Sequence, residues 1–192
     1  MAISFRPVTE PTRVVKFRPL TAEEIEVRVS RVNSYGAELL LYKDSRVDMR
    51  MLDETVGPEN WRCSYYECKG TLFCSVGILL SRGDGVTEWV NKDNAGAPSN
   101  TEAEKGEASD AFKRACFSWG IGRELYTAPR IFVPKEKCNV KQGKNGKLQC
   151  YDRFRVAKVE IIDGRITGVR VVNDSAGGSV AFSWADKSRR EG

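Results

Sequence analysis

Between residues 71 and 80 the chain alternates without a break. Leu72, Cys74, Val76, Ile78 and Leu80 point one way, and Thr71, Phe73, Ser75 and Gly77 point the other. A period of two over this length describes an extended strand with one buried face. Turn residues bound it on both sides, Lys69-Gly70 before it and Ser81-Arg82-Gly83-Asp84-Gly85 after it. Trp61 to Lys69 and Val86 to Asn91 read as its neighbours. Turns this short join only antiparallel strands, so the three segments make an antiparallel β-meander. Its apolar face has to be covered by another layer.

Residues 102–120 supply a candidate layer. At helical period, Ala108, Ala111, Phe112, Ala115, Cys116 and Trp119 fall on one face, and Gly120 stands where a C-terminal cap belongs. The small residues on that face allow close packing. The start of the helix has two readings, because Ser99 with Glu102 and Thr101 with Glu104 both form capping boxes. Lys113 and Arg114 lie side by side just off the apolar face. Two neighbouring cations on an anchored helix present charge at a fixed spacing, which suits a phosphate backbone. The alternative is that Asp110 pairs with Arg114 at i,i+4 and the face is merely solvated.

The other segments are read in the same way. Residues 1–19 carry three prolines and form an extended arm. Thr21 and Glu24 make a capping box, with Leu20 against Ile25 as a staple, and they open a short helix with Ile25, Val29 and Val32 on one face. Glu38 to Tyr42 is a short strand. Asp44 or Ser45 caps a second helix that ends near Val56, before Gly57-Pro58. Gly143-Lys-Asn-Gly146 is a flexible loop tip. Arg153 to Ile162 and Arg165 to Asn173 flank Asp163-Gly164, which supplies the positive φ angles of a type I′ hairpin turn. The stretch after 174 is expected to fray. The expected fold is α+β: an antiparallel β-meander packed against a long helix (a β-β-β-α core), with a short N-terminal helix and a C-terminal basic β-hairpin. The expected organisation is an arm at 1–19, a core at 20–130, a basic loop and hairpin at 131–174, and a tail at 175–192.

Length and charge narrow the function. A chain of 192 residues is one domain, or one with a small appendage. The net charge of +5 is unevenly spread: residues 130–170 hold eleven Lys and Arg against four Asp and Glu, and residues 1–129 hold seventeen against nineteen. The basic stretch includes Lys141, Lys144, Lys147 and Lys158. It reads either as an electrostatic footprint for a polyanion or as a solvated loop. There is no histidine, and none of the six cysteines forms a Cys-x-x-Cys pair. A zinc site and the usual catalytic triads are therefore not expected. No phosphate-binding loop of the Gly-x-x-x-x-Gly-Lys-Ser/Thr type is present. The expectation is a protein with no catalytic residues, metal or cofactor. The first residues hold no apolar stretch and no run reaches membrane-spanning length, so a cytoplasmic protein with reduced thiols is expected.

Two segments together resemble a known family. The run Ser45-Arg46-Val-Asp-Met-Arg50-Met-Leu-Asp53-Glu54-Thr-Val-Gly57-Pro-Glu-Asn60-Trp61 resembles the opening of the core of Rad52-type single-strand annealing proteins. Glu104-Lys-Gly-Glu-Ala-Ser-Asp110-Ala-Phe-Lys113-Arg114-Ala resembles their long-helix signature, at the right separation. The resemblance covers roughly residues 20–130, and small phage or bacterial members are the most similar in style. It implies an oligomer, a ring or open spiral, that binds single-stranded DNA in a basic groove and anneals complementary strands without ATP. It implies that Arg46, Lys113 and Arg114 line that groove and that Arg82 makes an outer contact. Animal members carry a further basic residue where Cys116 or Phe117 stands here. The implied setting is recombination and DNA repair near the nucleoid of a bacterial or phage-infected cell, with a single-strand-binding protein or an exonuclease as the kind of partner. Two rivals stand beside this reading. A metal-dependent nuclease would draw on Asp53, Glu54, Glu102, Glu104, Glu107 and Asp110, although Asp53 and Glu54 are also spaced to pair with Arg50. A double-stranded RNA-binding module shares the order helix, three strands, helix, but carries its lysines at the start of its last helix.

Overall fold

The computed structural model describes residues 15–81, 85–97, 103–143 and 146–189. Among these residues the fold is α+β, with eleven strands and two α-helices. The three sheets are antiparallel throughout their pairings. The chain divides into two compact units. One comprises residues 48–121 with the segment ending at Arg18, the other residues 19–47 and 122–192.

In the first unit, β3 (Trp61–Cys68), β4 (Thr71–Ser81) and β5 (Thr87–Ala95) form a sheet in sequence order. Lys69 and Gly70 both take positive φ, 52° and 73°, to close the first turn. The helix α2 (Ala103–Trp119) packs against β4 and β5. The helix α1 (Ser45–Val56) begins beside Asp44, whose Oδ1 accepts from the Arg46 N–H at 2.7 Å. This is the capping role its sequence position calls for. The helix stops before Gly57, at φ 88°.

The second unit holds a six-stranded sheet in the order β11-β10-β9-β1-β2-β6. Its strands are β1 (Glu26–Asn33), β2 (Gly36–Tyr42), β6 (Ile131–Pro134), β9 (Phe154–Ile162), β10 (Arg165–Asn173) and β11 (Ser179–Ala185). Ala37, Leu39, Leu41, Ile131, Val133, Val156, Val169 and Val171 are all buried. Gly36, at φ 154°, is required where β6 comes alongside, because a Cβ there would lie 2.1 Å from the Val133 carbonyl oxygen. A small hairpin, β7 (Val140–Gln142) with β8 (Leu148–Cys150), carries part of the basic stretch.

Two expectations are corrected. The short N-terminal helix is not formed. Glu24 does accept the Thr21 N–H at 3.0 Å, but the box heads a single 3-10 turn, Ala22–Glu24, and the chain then enters β1. The helical spacing of Ile25, Val29 and Val32 has a different origin. The pairing of β1 with β2 shifts between Val29 and Arg31, so one extra residue is inserted into a strand. A bulge of this kind turns a step of two into a step of three. β-branched valines then favour the extended form. The second correction concerns the segment after 174. It is not frayed, because Ser179–Ala185 pairs along β10 from Asn173 to Gly168. The hairpin at 154–173 has Asp163 at φ 51° and Gly164 at φ 70°, as a type I′ turn requires. It forms the middle of a sheet rather than an appendage.

Candidate nucleic-acid interface

The helix α2 is fixed to its sheet from Glu107 to Trp119. Ala111, Ala115 and Cys116 are fully buried and Phe112 is 1% exposed; they face a sheet that buries Cys74, Val76 and Ile78 completely. The Phe112 ring lies 6.1 Å from that of Trp61. Polar bonds complete the attachment. The Glu107 carboxylate accepts the Leu72 N–H at 3.2 Å, and Trp119 Nε1 donates to the Val76 carbonyl at 2.8 Å. At the C-terminal end Lys92 Nζ donates to the Ser118 carbonyl at 3.0 Å and sits 4.6 Å over the Trp119 ring. That cation offsets the negative end of the helix dipole. Gly96 lies so close to α2 that a Cβ would stand 2.2 Å from the Glu107 carbonyl oxygen. Burial pushes the Cys74 thiol up to about 12, so it serves as an inert, protonated core group.

Lys113 and Arg114 follow one another at the rim of this anchored helix, Lys113 half-buried and Arg114 exposed. Arg114 Nε donates to Asp110 Oδ2 at 2.7 Å, the i,i+4 pair that the sequence allowed. Asp110 also accepts the Ala97 N–H at 3.0 Å. Arg114 is thus paired with Asp110, and Lys113 adds a second positive charge beside it. At the position following Ala115, Cys116 is buried and Phe117 half-buried.

The remaining candidate residues are in other places. Arg46 lies in the first turn of α1, with its side chain 88% exposed and 3.9 Å from Asp44. Lys141 and Lys147 are both exposed on the β7–β8 hairpin, where the Gly143 N–H donates to the Lys147 carbonyl at 2.8 Å. Arg82 and Lys144 lie outside the described residues, as do both proposed capping boxes at 99–104 in whole or in part.

Among the described residues the carboxylates of the nuclease reading, Asp53, Glu54, Glu107 and Asp110, are each engaged by a donor. Asp53 accepts from Trp61 Nε1 at 2.7 Å, and Glu54 from Arg18 Nε at 2.9 Å rather than from Arg50. Among the described residues no group of three His, Cys, Asp or Glu side chains is placed to hold a metal ion, and no helix is long and apolar enough to cross a membrane. The contributions of Lys92, Glu107 and Gly96 to the seating of the helix are not legible in sequence. Each depends on which strand residue comes to lie beneath it.

Residues 17–145 match the family model described as Rad52/22 family double-strand break repair protein. No curated protein matches the chain.

Proposed function

The chain belongs to the Rad52/22 family of double-strand break repair proteins, and on that premise we propose that it binds single-stranded DNA and anneals complementary strands without ATP. In this reading β3, β4, β5 and α2 are the family's β-β-β-α core, and α2 is its long helix. The protein acts as an oligomer, a ring or open spiral, in the cytoplasm and not as an enzyme. A single-strand-binding protein or an exonuclease is the class of partner it would work beside.

One observation carries the reading: a Lys-Arg pair on the rim of a helix whose apolar face buries Ala111, Phe112, Ala115 and Cys116. Cations mounted this way lose little freedom on gripping phosphate. Annealing needs contacts of this type, because phosphate binding without base readout leaves the base edges free to pair. The Asp110–Arg114 pair does not oppose it. An exposed i,i+4 pair is worth only about 0.3–0.5 kcal/mol, so little is lost when Arg114 exchanges Asp110 for a phosphate. Arg46, Lys141 and Lys147 are proposed as further phosphate contacts, each by itself, and Arg82 and Lys144 remain in the proposal on sequence alone. The exposure of β3 along the edge of its sheet supports assembly, since an open edge invites pairing with another chain.

The decisive experiment mixes complementary oligonucleotides carrying a fluorescence donor and acceptor, in low-salt buffer without nucleotide. Duplex formation should be faster with the protein than without it, and an unchanged rate refutes the reading. A finer prediction follows from Asp110. Asp110→Asn releases Arg114 and raises the net charge by one, so affinity for an oligothymidylate should rise by about twofold, matching a pair of about 0.3–0.5 kcal/mol. Fluorescence anisotropy measures it, and weaker binding would show that Asp110 holds Arg114 in its binding position.

A further inference from the structure

A second group of cations lies on the outer face of β9, β10 and β11, at residues beyond the matched segment 17–145. Lys158 of β9 is directly opposite Arg170 of β10, and Arg170 is directly opposite Ser183 of β11. All three side chains are exposed. In the next row Gly168 lies between Glu160 and Ala185. A shallow depression of about 80 Å³ lies here, lined by Lys158, Glu160, Arg170 and Ser183 among others, and the Glu160 side chain lies over Gly168. A Cβ at Gly168 would come within 2.8 Å of Glu160 Oε2.

Like charges directly opposite one another on adjacent strands are destabilising. Glu160 relieves only part of this repulsion: it accepts from Lys158 Nζ at 2.7 Å. Among the described residues Arg170 has no ion pair. A cationic row on a rigid sheet, with a hydroxyl at its end, is preorganised for an anion with more than one acceptor oxygen. A nucleic-acid backbone supplies such an anion at every nucleotide, with two non-bridging oxygens on one phosphorus.

We propose that the outer face of β9–β11 is a second binding surface for single-stranded DNA, gripping a backbone phosphate between Lys158 and Arg170, with the Ser183 hydroxyl as a third donor. The proposal rests on the reading that this chain binds single-stranded DNA, and it adds a place where the strand is held. Arg170 supplies two N–H donors to the two non-bridging oxygens, Lys158 supplies the point charge, and the bases face away from the sheet.

The test measures binding of a fluorescent thirty-residue oligothymidylate to the full chain across a sodium chloride series. Three proteins are compared: wild type, Lys158→Gln with Arg170→Gln, and Lys113→Ala with Arg114→Ala. The first variant should lower the slope of log affinity against log salt by about 0.7 for each phosphate it releases, and should reduce low-salt affinity severalfold. Because it removes facing like charges, its thermal midpoint should equal or exceed that of wild type. Ser183→Glu, which leaves both cations in place, should weaken binding in the same direction. A wild-type slope for the Lys158 and Arg170 variant, while the Lys113 and Arg114 variant binds weakly, overturns this surface and leaves the main reading intact. Unchanged binding by Ser183→Glu overturns it as well. Loss of polyglutamate binding with an unaltered oligonucleotide slope would assign the face to an acidic protein segment instead. Absence of oligonucleotide binding by wild type would end both readings.

Discussion

Replacing Lys113 and Arg114 together by alanine should lower affinity for single-stranded DNA by about a hundredfold in low salt. Each contact removed is a charge-assisted hydrogen bond, worth at least about 1.5 kcal/mol, or roughly tenfold. The annealing rate should fall with it. The fold should not, because neither side chain belongs to the buried face of α2. Surface changes away from such features usually shift stability by less than about 0.5 kcal/mol. Anisotropy titration, the annealing assay and far-ultraviolet circular dichroism read these three quantities separately. The salt slope should also drop by about 0.7 for each phosphate no longer neutralised. A double variant that anneals at the wild-type rate would remove α2 from the DNA path.

Phe112→Ala should produce the largest loss of stability of any single change on α2. The ring is 1% exposed, lies 6.1 Å from Trp61, and stands next to the cation pair in sequence. Truncating a buried phenylalanine costs about 3–5 kcal/mol, from lost burial and from the cavity left behind. Natural domains hold about 5–15 kcal/mol in total. The variant should therefore unfold at markedly lower urea concentration, followed by tryptophan fluorescence. Phe112→Leu should recover most of the loss. A cost below about 1 kcal/mol would mean that the helix is held by its polar bonds at Glu107, Lys92 and Trp119 instead. The two predictions separate the roles of adjacent residues: Phe112 places the helix, and Lys113 and Arg114 use the placement.

The strict alternation at 71–80 and the Asp163-Gly164 turn were legible because both are local. Each depends on a period or a φ angle that a few neighbouring residues decide. The periodic face of α2 was legible for the same reason, and so were the i,i+4 spacing of Asp110 and Arg114 and the cap at Asp44. Ile25, Val29 and Val32 misled because a bulge and a helical turn produce the same spacing in one dimension. Only the pairing with β2 tells them apart. The stretch after 174 looked unstructured because two glycines and two serines mark it between 175 and 179. An open edge of β10 nevertheless gave Ser179–Ala185 a partner.

The candidate site divides along the same line. That two cations sit together off an apolar helical face follows from residue order. How the helix is seated follows from Gly96, Lys92 and Glu107, whose partners lie on the facing element, up to 35 residues away along the chain. The facing of Lys158 and Arg170 across two strands is likewise a matter of register, which no composition count contains. By itself, then, the amino-acid order determined most of the local elements, the family and the identity of the cations on α2. The tertiary structure decided which strands share a sheet and which charges face each other. The reason is physical: helical period and turn chemistry act over a few residues, whereas strand pairing and close packing depend on groups brought together from distant parts of the chain.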